Sequence, residues 1–166
     1  MFRGNNSSNE LIVSGYSDSD WAGDIDDKKS TTGYIIKLNN CPISWLSKKQ
    51  EVVATSSCEA ELLALATITK EIIWTRNFID ELTLNKNLQI QSQIWCDNQS
   101  TIQIAANDNT SGRTKHISIR YHFIKDYIND KSIQINWIGT NEQQADILTK
   151  PLAKVSFNNL KMLLMN

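Results

Sequence analysis

The chain has 166 residues, of which 40% are hydrophobic and 21% charged, a composition typical of one globular domain with an ordinary core. Its 17 lysines and arginines against 18 aspartates and glutamates give a net charge of -1, which argues against a general nucleic-acid binder that relies on bulk charge. No run of about 18 apolar residues could cross a bilayer, and the N-terminal residues lack the apolar stretch of a signal peptide. We therefore expect an intracellular protein.

The cysteines and tryptophans are expected to be structural. Cys41, Cys58 and Cys96 are isolated and odd in number, so they indicate neither a zinc site nor a disulfide framework, and we interpret them as small core residues. The tryptophans could stack on bases, but a duplex keeps its bases paired, so core packing is the favoured interpretation for all five: Trp21, Trp45, Trp74, Trp95 and Trp137.

Three strands are predicted in the first third of the chain. Residues 1–10 are polar and without pattern, and we interpret them as a flexible arm. Alternation then predicts a strand from Ile12 to Asp20, with Asp18 and Asp20 on one face. Segments 33–38 and 43–46 follow as two further strands around the turn sequence NNCP. The three strands together form a meander that leads into the longest helix.

That helix is predicted from Ser56 to Leu82. Ser56 has an N-cap side chain, and Glu59 is placed to reach back to the cap amide, as in a capping box. Apolar residues at helical spacing draw one stripe along the helix, namely Leu65, Ile68, Ile72, Ile79 and Leu82. Glu61 points the same way as this stripe, whereas Glu59 lies about 200° away around the helix. A carboxylate at the core-facing edge requires a positive partner there.

The second half alternates strands and helices. A strand at 88–96 runs into Asp97, and Asn98 or Ser100 could cap a short helix after it. A helix from His116 and a strand at 133–137 come next, followed by a helix opened by a capping box of Thr140 and Gln143, which contains Asp146 and is interrupted at Pro151. The tail, 152–164, is predicted as a last amphipathic helix. We therefore divide the chain into the arm 1–10, an α/β domain at 11–153 with a mixed sheet and helices on both faces, and a C-terminal amphipathic tail at 154–166.

Four acidic residues lie near the ends of these elements or within the predicted helices. If the first and fourth strands are parallel neighbours, Asp18 and Asp97 lie side by side at the carboxyl edge of the sheet. Glu61 and Asp146 would bring the cluster to four carboxylates, whose repulsion is tolerable mainly around a hard divalent cation such as Mg²⁺ or Mn²⁺. Oxygen ligands alone disfavour zinc. Two such ions can activate water and stabilise a leaving oxygen in phosphodiester cleavage.

Several motifs carry a resemblance to a known family. They occur in the order GYSDSDWAGD, KSTTGY, SWLSKKQ, SSCEAEL, IWCDNQS, KHISIRYHFI and NEQQADILTKPL. This series resembles the ribonuclease H domain of the Pol polyprotein of copia-type LTR retrotransposons, from about Val13 to Leu152. The resemblance is highly specific because several motifs recur in the right order.

The resemblance implies a ribonuclease H-like fold, a five-stranded mixed sheet with three antiparallel strands and then two parallel ones, flanked by helices on both faces. It implies cleavage of the RNA strand of RNA–DNA hybrids during reverse transcription, with two Mg²⁺ ions for which Mn²⁺ can substitute. Asp18 and Asp97 would bind both ions, Glu61 the ion on the leaving-group side and the 2′-hydroxyl, and Asp146 the attacking-water side. Glu61 is matched because Leu directly follows it in SSCEAEL.

The resemblance also implies partners and a location. The partners would be the RNA–DNA hybrid and the reverse transcriptase domain of the same polyprotein, with no membrane involved and the oligomeric state open. The expected location is a cytoplasmic virus-like particle and the nucleus. We interpret the chain as a piece of a longer polyprotein or a stand-alone remnant of one.

Substrate contacts are less well defined than the acids. The segment 111–131 has a modest basic face, for which a solvated helix is an equal alternative. Phosphate contacts are assigned to Arg113, Lys115 and Arg120, with His116 as a helix-start contact. Cellular ribonucleases H have a histidine in the loop before the last acid, whereas this loop is GTNEQQ, so slow turnover is expected. His122 is interpreted as a partly buried packing residue.

Two alternatives stay open. The first is a binding or interaction module that keeps the fold without the chemistry, against which the four intact acids argue. The second is a DNA strand-transfer enzyme of related fold, in which the last acid would be a glutamate on a late helix, whereas here Glu61 comes second and Asp146 last. No YxDD motif is present, so the chain alone is not expected to synthesise DNA.

Overall fold

The computed structural model describes residues 10–83, 88–106 and 115–165, with side chains from residue 119 onward in the last range. Residues 1–9 of the predicted arm lie outside these ranges. The elements are β1 Glu10–Asp20, β2 Thr31–Leu38, β3 Cys41–Lys49, α1 Ser57–Leu82, β4 Gln89–Cys96, α2 Gln99–Ala106, α3 Lys115–Asn129, β5 Gln134–Trp137, a 3₁₀ turn Thr140–Glu142, α4 Asp146–Thr149 and α5 Lys154–Met165. None of the helices described is long and apolar enough to cross a membrane.

The five strands form one mixed sheet in the order β3-β2-β1-β4-β5. The β1–β2 and β2–β3 pairs are antiparallel, whereas the β1–β4 and β4–β5 pairs are parallel, which confirms the predicted arrangement. Asn39 and Asn40 turn the chain between β2 and β3 with φ of 46° and 69°. Asparagine tolerates this left-handed conformation, and two such residues make the tight turn that suits antiparallel strands.

Helix α1 covers one face of the sheet with the apolar stripe expected from its spacing. Leu65, Ile68 and Ile72 are fully buried, and each such side chain contributes about 1.5–3 kcal/mol through burial. A Cβ on Gly15 of β1 would lie 2.5 Å from Ile72 Cδ1, so this glycine lets the helix approach closely. The prediction is wrong at the last stripe residue, Leu82, which is the final residue of the helix and is 65% exposed.

The N-terminus of α1 is capped as expected in one respect and differently in another. The Ser56 hydroxyl accepts a hydrogen bond from the Glu59 amide at 3.1 Å, as an N-cap should. The Glu59 carboxylate, however, accepts from the amide and hydroxyl of Thr55 at 2.7 and 2.6 Å, so it does not close the predicted capping box on the Ser56 amide. Glu59 therefore has a structural role, but it bonds to Thr55 and not to the predicted Ser56 amide.

Helices α4 and α5 cover the opposite face. Asp18 of β1 is the register partner of Gly33 of β2, so the two residues share this face. A Cβ on Gly33 would lie 2.5 Å from Thr149 Cγ2 and 3.1 Å from the Ala145 carbonyl oxygen. Further along β2, the nearly buried Lys37 donates from Nζ to the Leu163 carbonyl oxygen at 2.7 Å and so fixes the end of α5. Gly33 thus allows α4 to lie directly against the strand that carries Asp18.

The predictions for tryptophan, cysteine and His122 need correction. Four tryptophans are more than half exposed and Trp95 is half-buried; the exposed four are Trp21, Trp45, Trp74 and Trp137. Two of these exposed side chains form a hydrogen bond through the indole N–H: Trp21 donates to the Ala54 carbonyl and Trp137 to the Asp97 carbonyl, each at 3.2 Å. Cys96 is buried, whereas Cys41 and Cys58 are half-buried, and all three thiols are free. His122 is exposed beside the Tyr121 ring.

The predicted capping box at Thr140 is also wrong. Thr140 lies inside the 3₁₀ turn, whose N-cap is Gly139 without a side-chain hydrogen bond. Gln143 is fully buried and donates from Nε2 to the Ser17 carbonyl at 3.0 Å, so it joins the loop to β1. Tertiary contacts therefore replace the local capping that the sequence pattern suggests.

Substitution Gly33→Ala is expected to destabilise the fold by about 1–3 kcal/mol, since the new methyl group would displace the Thr149 side chain and press on the Ala145 carbonyl oxygen. The matched control is Gly139→Ala, because nothing lies within 4 Å of that Cβ position and the backbone φ of -70° suits alanine. Urea unfolding of the two variants and the wild type measures the difference. Equal stability of the two variants would contradict close packing of α4 on β2.

Candidate active site

Asp18 and Asp97 meet at the carboxyl edge of two parallel strands. Tyr16 of β1 pairs with Trp95 of β4, so two residues further on the parallel register brings Asp18 level with Asp97. Asp18 is 1% exposed, and Asp97 is half-buried in the bend that follows β4. The neighbourhood expected from the two strands is therefore present.

Glu61 reaches this edge from the second turn of α1. It is 5% exposed, and its Oε1 accepts a hydrogen bond from the Ser19 amide at 3.2 Å. Its Oε2 is buried and has no hydrogen-bond partner among the described residues. The choice of Glu61 over Glu59 from helical geometry agrees with this placement, since the two carboxylates contact different residues.

Asp146 comes from the opposite face, as the first residue of α4. It is 4% exposed and forms an ion pair with Lys150, whose Nζ lies 3.1 Å from Asp146 Oδ1 and 3.4 Å from Asp18 Oδ2. The Thr149 hydroxyl donates to Asp18 Oδ2 in a short hydrogen bond. Helix α4 therefore brings one acid, one hydroxyl and one ammonium group to Asp18.

The contacts that Thr149 and Lys150 make with the acids were not predicted from the sequence. The contacts that position Asp97 were not predicted either. Thr140 donates its hydroxyl to Asp97 Oδ2 at 2.9 Å, and Trp137 donates its indole N–H to the Asp97 carbonyl at 3.2 Å. No periodicity marks Thr140, Thr149 or Lys150. The one available signal is that the last two fall inside the motif ADILTKPL, three and four residues after Asp146.

Burial and neighbouring like charges raise the pKa values of two of the acids. Burial, and then the charges of Asp18 and Asp97, raise the pKa of Glu61 from 4.5 to about 9. Burial and the charge of Asp18 likewise raise the pKa of Asp146 from 3.8 to about 7, with Lys150 acting in the opposite direction. The pKa of the Cys96 thiol is raised too, mainly by burial and next by Glu61. Glu61 and Asp146 are thus held where their ionised forms are unfavourable without added positive charge.

The residues present fit a divalent cation. Ligand atoms of Asp18, Asp97 and Asp146 lie within 4.8 Å of one another, and so do those of Glu61, Cys96 and Asp97. Asp97 belongs to both groups, whereas Asp18 belongs to the group with Asp146. Carboxylate oxygens suit hard cations, and the unpartnered Oε2 of Glu61 is a ligand atom without a protein donor in the described structure.

The predicted nucleic-acid residues are only partly described. Arg113 lies outside the described residues, and so do the side chains of Lys115 and His116. Arg120 is half-buried and lines a cavity of about 220 Å³, together with residues that include Thr32, Lys48, Lys49 and Gln50. Thr32 is the register partner of Ser19, whose amide bonds to Glu61, so this groove begins next to the acids. Its two lysines are paired with acids, Lys48 with Glu51, which also lines the groove, and Lys49 with Asp24 and Asp27.

The fold is that of ribonuclease H. The N-terminal ribonuclease H domain of a Mycobacterium tuberculosis protein has a TM-score of 0.54 over 92% of this chain and 97% of that one, at 10% identity. LC11-RNase H1, isolated from compost, gives a TM-score of 0.56 over 86% of this chain and 94% of its own, at 14% identity. The same enzyme in complex with an RNA/DNA hybrid gives 0.52 over 84% and 93%, at 12% identity.

The curated relatives point to a narrower group of proteins than the fold does, although no protein-family model matches the sequence. The retrovirus-related Pol polyprotein from transposon TNT 1-94 of Nicotiana tabacum is 43% identical over 92% of this chain, and that from transposon RE2 of Arabidopsis thaliana is 42% identical over 91%. The chain spans only 11% and 10% of their lengths. It is therefore a homologue of one segment of the Pol polyproteins of copia-type transposons, and it has itself a ribonuclease H fold.

The stability of the metal-free chain is expected to fall as pH rises from about 4.5 towards about 9, the window set by Glu61. Across this window the folded chain keeps the Glu61 proton while the unfolded chain loses it, so a rise in pH favours unfolding. Urea unfolding with EDTA at several pH values measures the slope, and Glu61→Gln should flatten it most clearly above about pH 7, where the raised pKa of Asp146 no longer contributes. A slope that is zero or positive in the wild type, or unchanged in the variant, would contradict the buried, proton-binding Glu61.

Proposed function

We propose that this domain is a divalent-metal-dependent endonuclease that cleaves the RNA strand of RNA–DNA hybrids during reverse transcription. The observation that carries the proposal is the meeting of Asp18, Glu61, Asp97 and Asp146 at one sheet edge, in two overlapping groups of possible metal ligands. Its ribonuclease H fold and its Pol homologues support the same reaction class.

The four acids are proposed as the ligands of two Mg²⁺ ions, for which Mn²⁺ can substitute. When bound, such ions would supply an activated water and stabilise the leaving oxygen of a phosphodiester. Asp97, which belongs to both groups, would contribute to both ions. The resemblance assigns Asp18 to both ions as well, and by its geometry Asp18 belongs to the group with Asp146. Glu61 would serve the leaving-group side and contact a 2′-hydroxyl of the hybrid, and Asp146 would serve the side of the attacking water.

The neighbouring residues would keep these acids in register. The hydroxyls of Thr149 and Thr140 each donate a hydrogen bond to one carboxylate oxygen, Asp18 Oδ2 and Asp97 Oδ2 respectively, and so orient these acids. The Ser19 amide orients Glu61 in the same way. The other oxygen of Asp18 lies 3.5 Å from Lys150 Nζ. Selectivity for RNA would follow from 2′-hydroxyls that line the wide minor groove of the hybrid.

The proposed partner is the RNA–DNA hybrid, with a reverse transcriptase domain of the same polyprotein as the second partner. One solved ribonuclease H of the same fold is in complex with an RNA/DNA hybrid, and the curated relatives are Pol polyproteins. The groove that Arg120 lines would contact phosphates, because it begins beside the Ser19–Glu61 hydrogen bond. Lys48 and Lys49, which are ion-paired at its surface, would exchange an acidic partner for a phosphate there.

A second candidate is a nucleic-acid-binding remnant with weak or absent catalysis. The loop before Asp146 favours it, since its described residues Thr140–Glu142 form a 3₁₀ turn that brings a threonine hydroxyl to Asp97 and no histidine. The intact acid cluster favours the nuclease. Binding of the hybrid without cleavage in Mg²⁺ or Mn²⁺ would identify the remnant.

Substitution Asp97→Asn is expected to reduce cleavage of an end-labelled RNA–DNA hybrid by at least about 100-fold, since Asp97 belongs to both ligand groups. Glu61→Gln should have a similar effect. The matched control is Glu59→Gln, a neighbouring buried acid of α1 that contacts Thr55, which should retain cleavage while losing about 1 kcal/mol of stability. Circular dichroism confirms that each variant is folded.

Double-stranded RNA and double-stranded DNA of the same sequence serve as substrate controls. Cutting of the RNA strand in the hybrid alone, lost in Asp97→Asn and Glu61→Gln but not in Glu59→Gln, is the expected result. No cutting by the folded wild type at low salt, with either cation, would contradict the proposed nuclease. Equal loss in Glu59→Gln would contradict the assignment of the helix acid.

Substitution Arg120→Ala is expected to weaken binding of the hybrid and to reduce the slope of log affinity against log salt by about 1. The physical reason is the loss of one phosphate contact in the groove that Arg120 lines. Fluorescence anisotropy in Ca²⁺ or EDTA measures affinity without turnover, and Lys154→Ala on α5 controls for net charge. An unchanged slope in Arg120→Ala would place the phosphates elsewhere.

A further inference from the structure

The acid cluster contains a positive charge supplied by the chain itself. Lys150 Nζ lies 3.1 Å from Asp146 Oδ1, and 3.4 and 3.5 Å from the two oxygens of Asp18. The side chain of Asp18 is 2% exposed and that of Asp146 is 6% exposed, whereas that of Lys150 is 35% exposed. An ammonium group in contact with two buried carboxylates offsets their mutual repulsion.

The two halves of the cluster therefore differ in charge. The ion pairs of Lys150 within the described structure are with Asp18 and Asp146, the half that comes from β1 and α4. In the other half, Glu61 lies with Asp97 and Cys96, and its buried Oε2 accepts no hydrogen bond from any residue that the structure describes. Asp146 Oδ1 also accepts no hydrogen bond in the described structure, but it lies 3.1 Å from the Lys150 ammonium group, whereas Glu61 Oε2 has no ion pair among the described residues. An entering cation would therefore compete with a resident ammonium group in the first half and with none in the second.

We propose that Lys150 is a resident cation that orders metal binding at this site. A first divalent cation binds at the Glu61–Asp97 half, and a second binds at the Asp18–Asp146 half only after the Lys150 ammonium group has moved away from those acids. This inference rests on the proposed function, in which the four acids are metal ligands. Lys150 is on this account a positioning residue, since it acts through the acids.

The structure provides a route for that movement. Lys150 is the C-cap of α4, with an extended backbone at φ -141° and ψ 151°, so its flexible four-carbon side chain is attached at the rim of the site. Its partial exposure allows the ammonium group to move into solvent without displacing α4, which is held separately by the Thr149–Asp18 hydrogen bond.

The test is isothermal titration of the metal-free chain with Mg²⁺, and in parallel with Mn²⁺. The wild type should bind two ions in separate steps, with the second weaker. In Lys150→Met the second step should become tighter by about tenfold or more, because a charge-assisted contact with two acids no longer competes. Lys150→Arg, which retains the charge, and Lys154→Met, which removes an exposed lysine of α5, should both resemble the wild type.

Thermal unfolding gives an independent readout. In EDTA, Lys150→Met should melt at a lower temperature than the wild type, and Mg²⁺ should raise its melting temperature by more, since the ion then binds acids that have lost their ammonium partner. Should Lys150→Met fail to fold in EDTA, the less apolar Lys150→Gln is titrated instead, with the same expected result.

An unchanged or weaker second step in folded Lys150→Met would overturn the inference, and so would an equal tightening in Lys154→Met, which would reveal a bulk charge effect. Hybrid cleavage measured on the same samples separates the role of Lys150 in metal binding from the proposed nuclease function. Tighter metal binding in the variant without any cleavage by the wild type would contradict the nuclease and support the role of Lys150. Normal cleavage with unaltered metal binding would overturn the role of Lys150 alone.

Discussion

Mutual repulsion among buried carboxylates is the constraint on which the rest of the site depends. Two like charges about 5 Å apart oppose each other by about 3 kcal/mol at an effective dielectric constant near 20, and ligand atoms of three aspartates lie within 4.8 Å here. The chain meets this constraint with the Lys150 ammonium group, with hydroxyl donors on Thr140 and Thr149, and with the Ser19 amide. A protein without a use for the cluster would gain stability by losing it, which is why the cluster indicates function.

Much of this arrangement could be predicted from the sequence because it depends on regular periodicity. Strand alternation placed Asp18 and Asp20 on one face, and the parallel neighbourhood of two strands brought Asp18 next to Asp97. The angle around a helix separated Glu61, which bonds to Ser19, from Glu59, which bonds to Thr55. These inferences use only the repeat geometry of helices and strands, which tertiary contacts rarely change.

The remainder depended on contacts that no local pattern encodes. Thr140 has the spacing of a helix cap, yet the three-dimensional fold gives it Asp97 as a partner. The tryptophans were expected in the core because a duplex keeps its bases paired, but Trp137 lies at the sheet edge, where its indole N–H bonds to a loop carbonyl and its ring remains exposed. Lys150 could not be assigned to Asp18 from sequence, because 132 positions separate them and only the approach of α4 over Gly33 brings them together.

The central claim is that the four acids together hold two divalent cations. Diffraction from crystals of the chain grown with saturating Mn²⁺, recorded at the manganese absorption edge, tests it most directly. The account predicts two anomalous peaks, one among Asp18, Asp97 and Asp146 and one beside Glu61 and Asp97, with Lys150 no longer in contact with Asp18. Manganese bound only elsewhere, or an acid cluster that holds none while Lys150 keeps its two ion pairs, would contradict it.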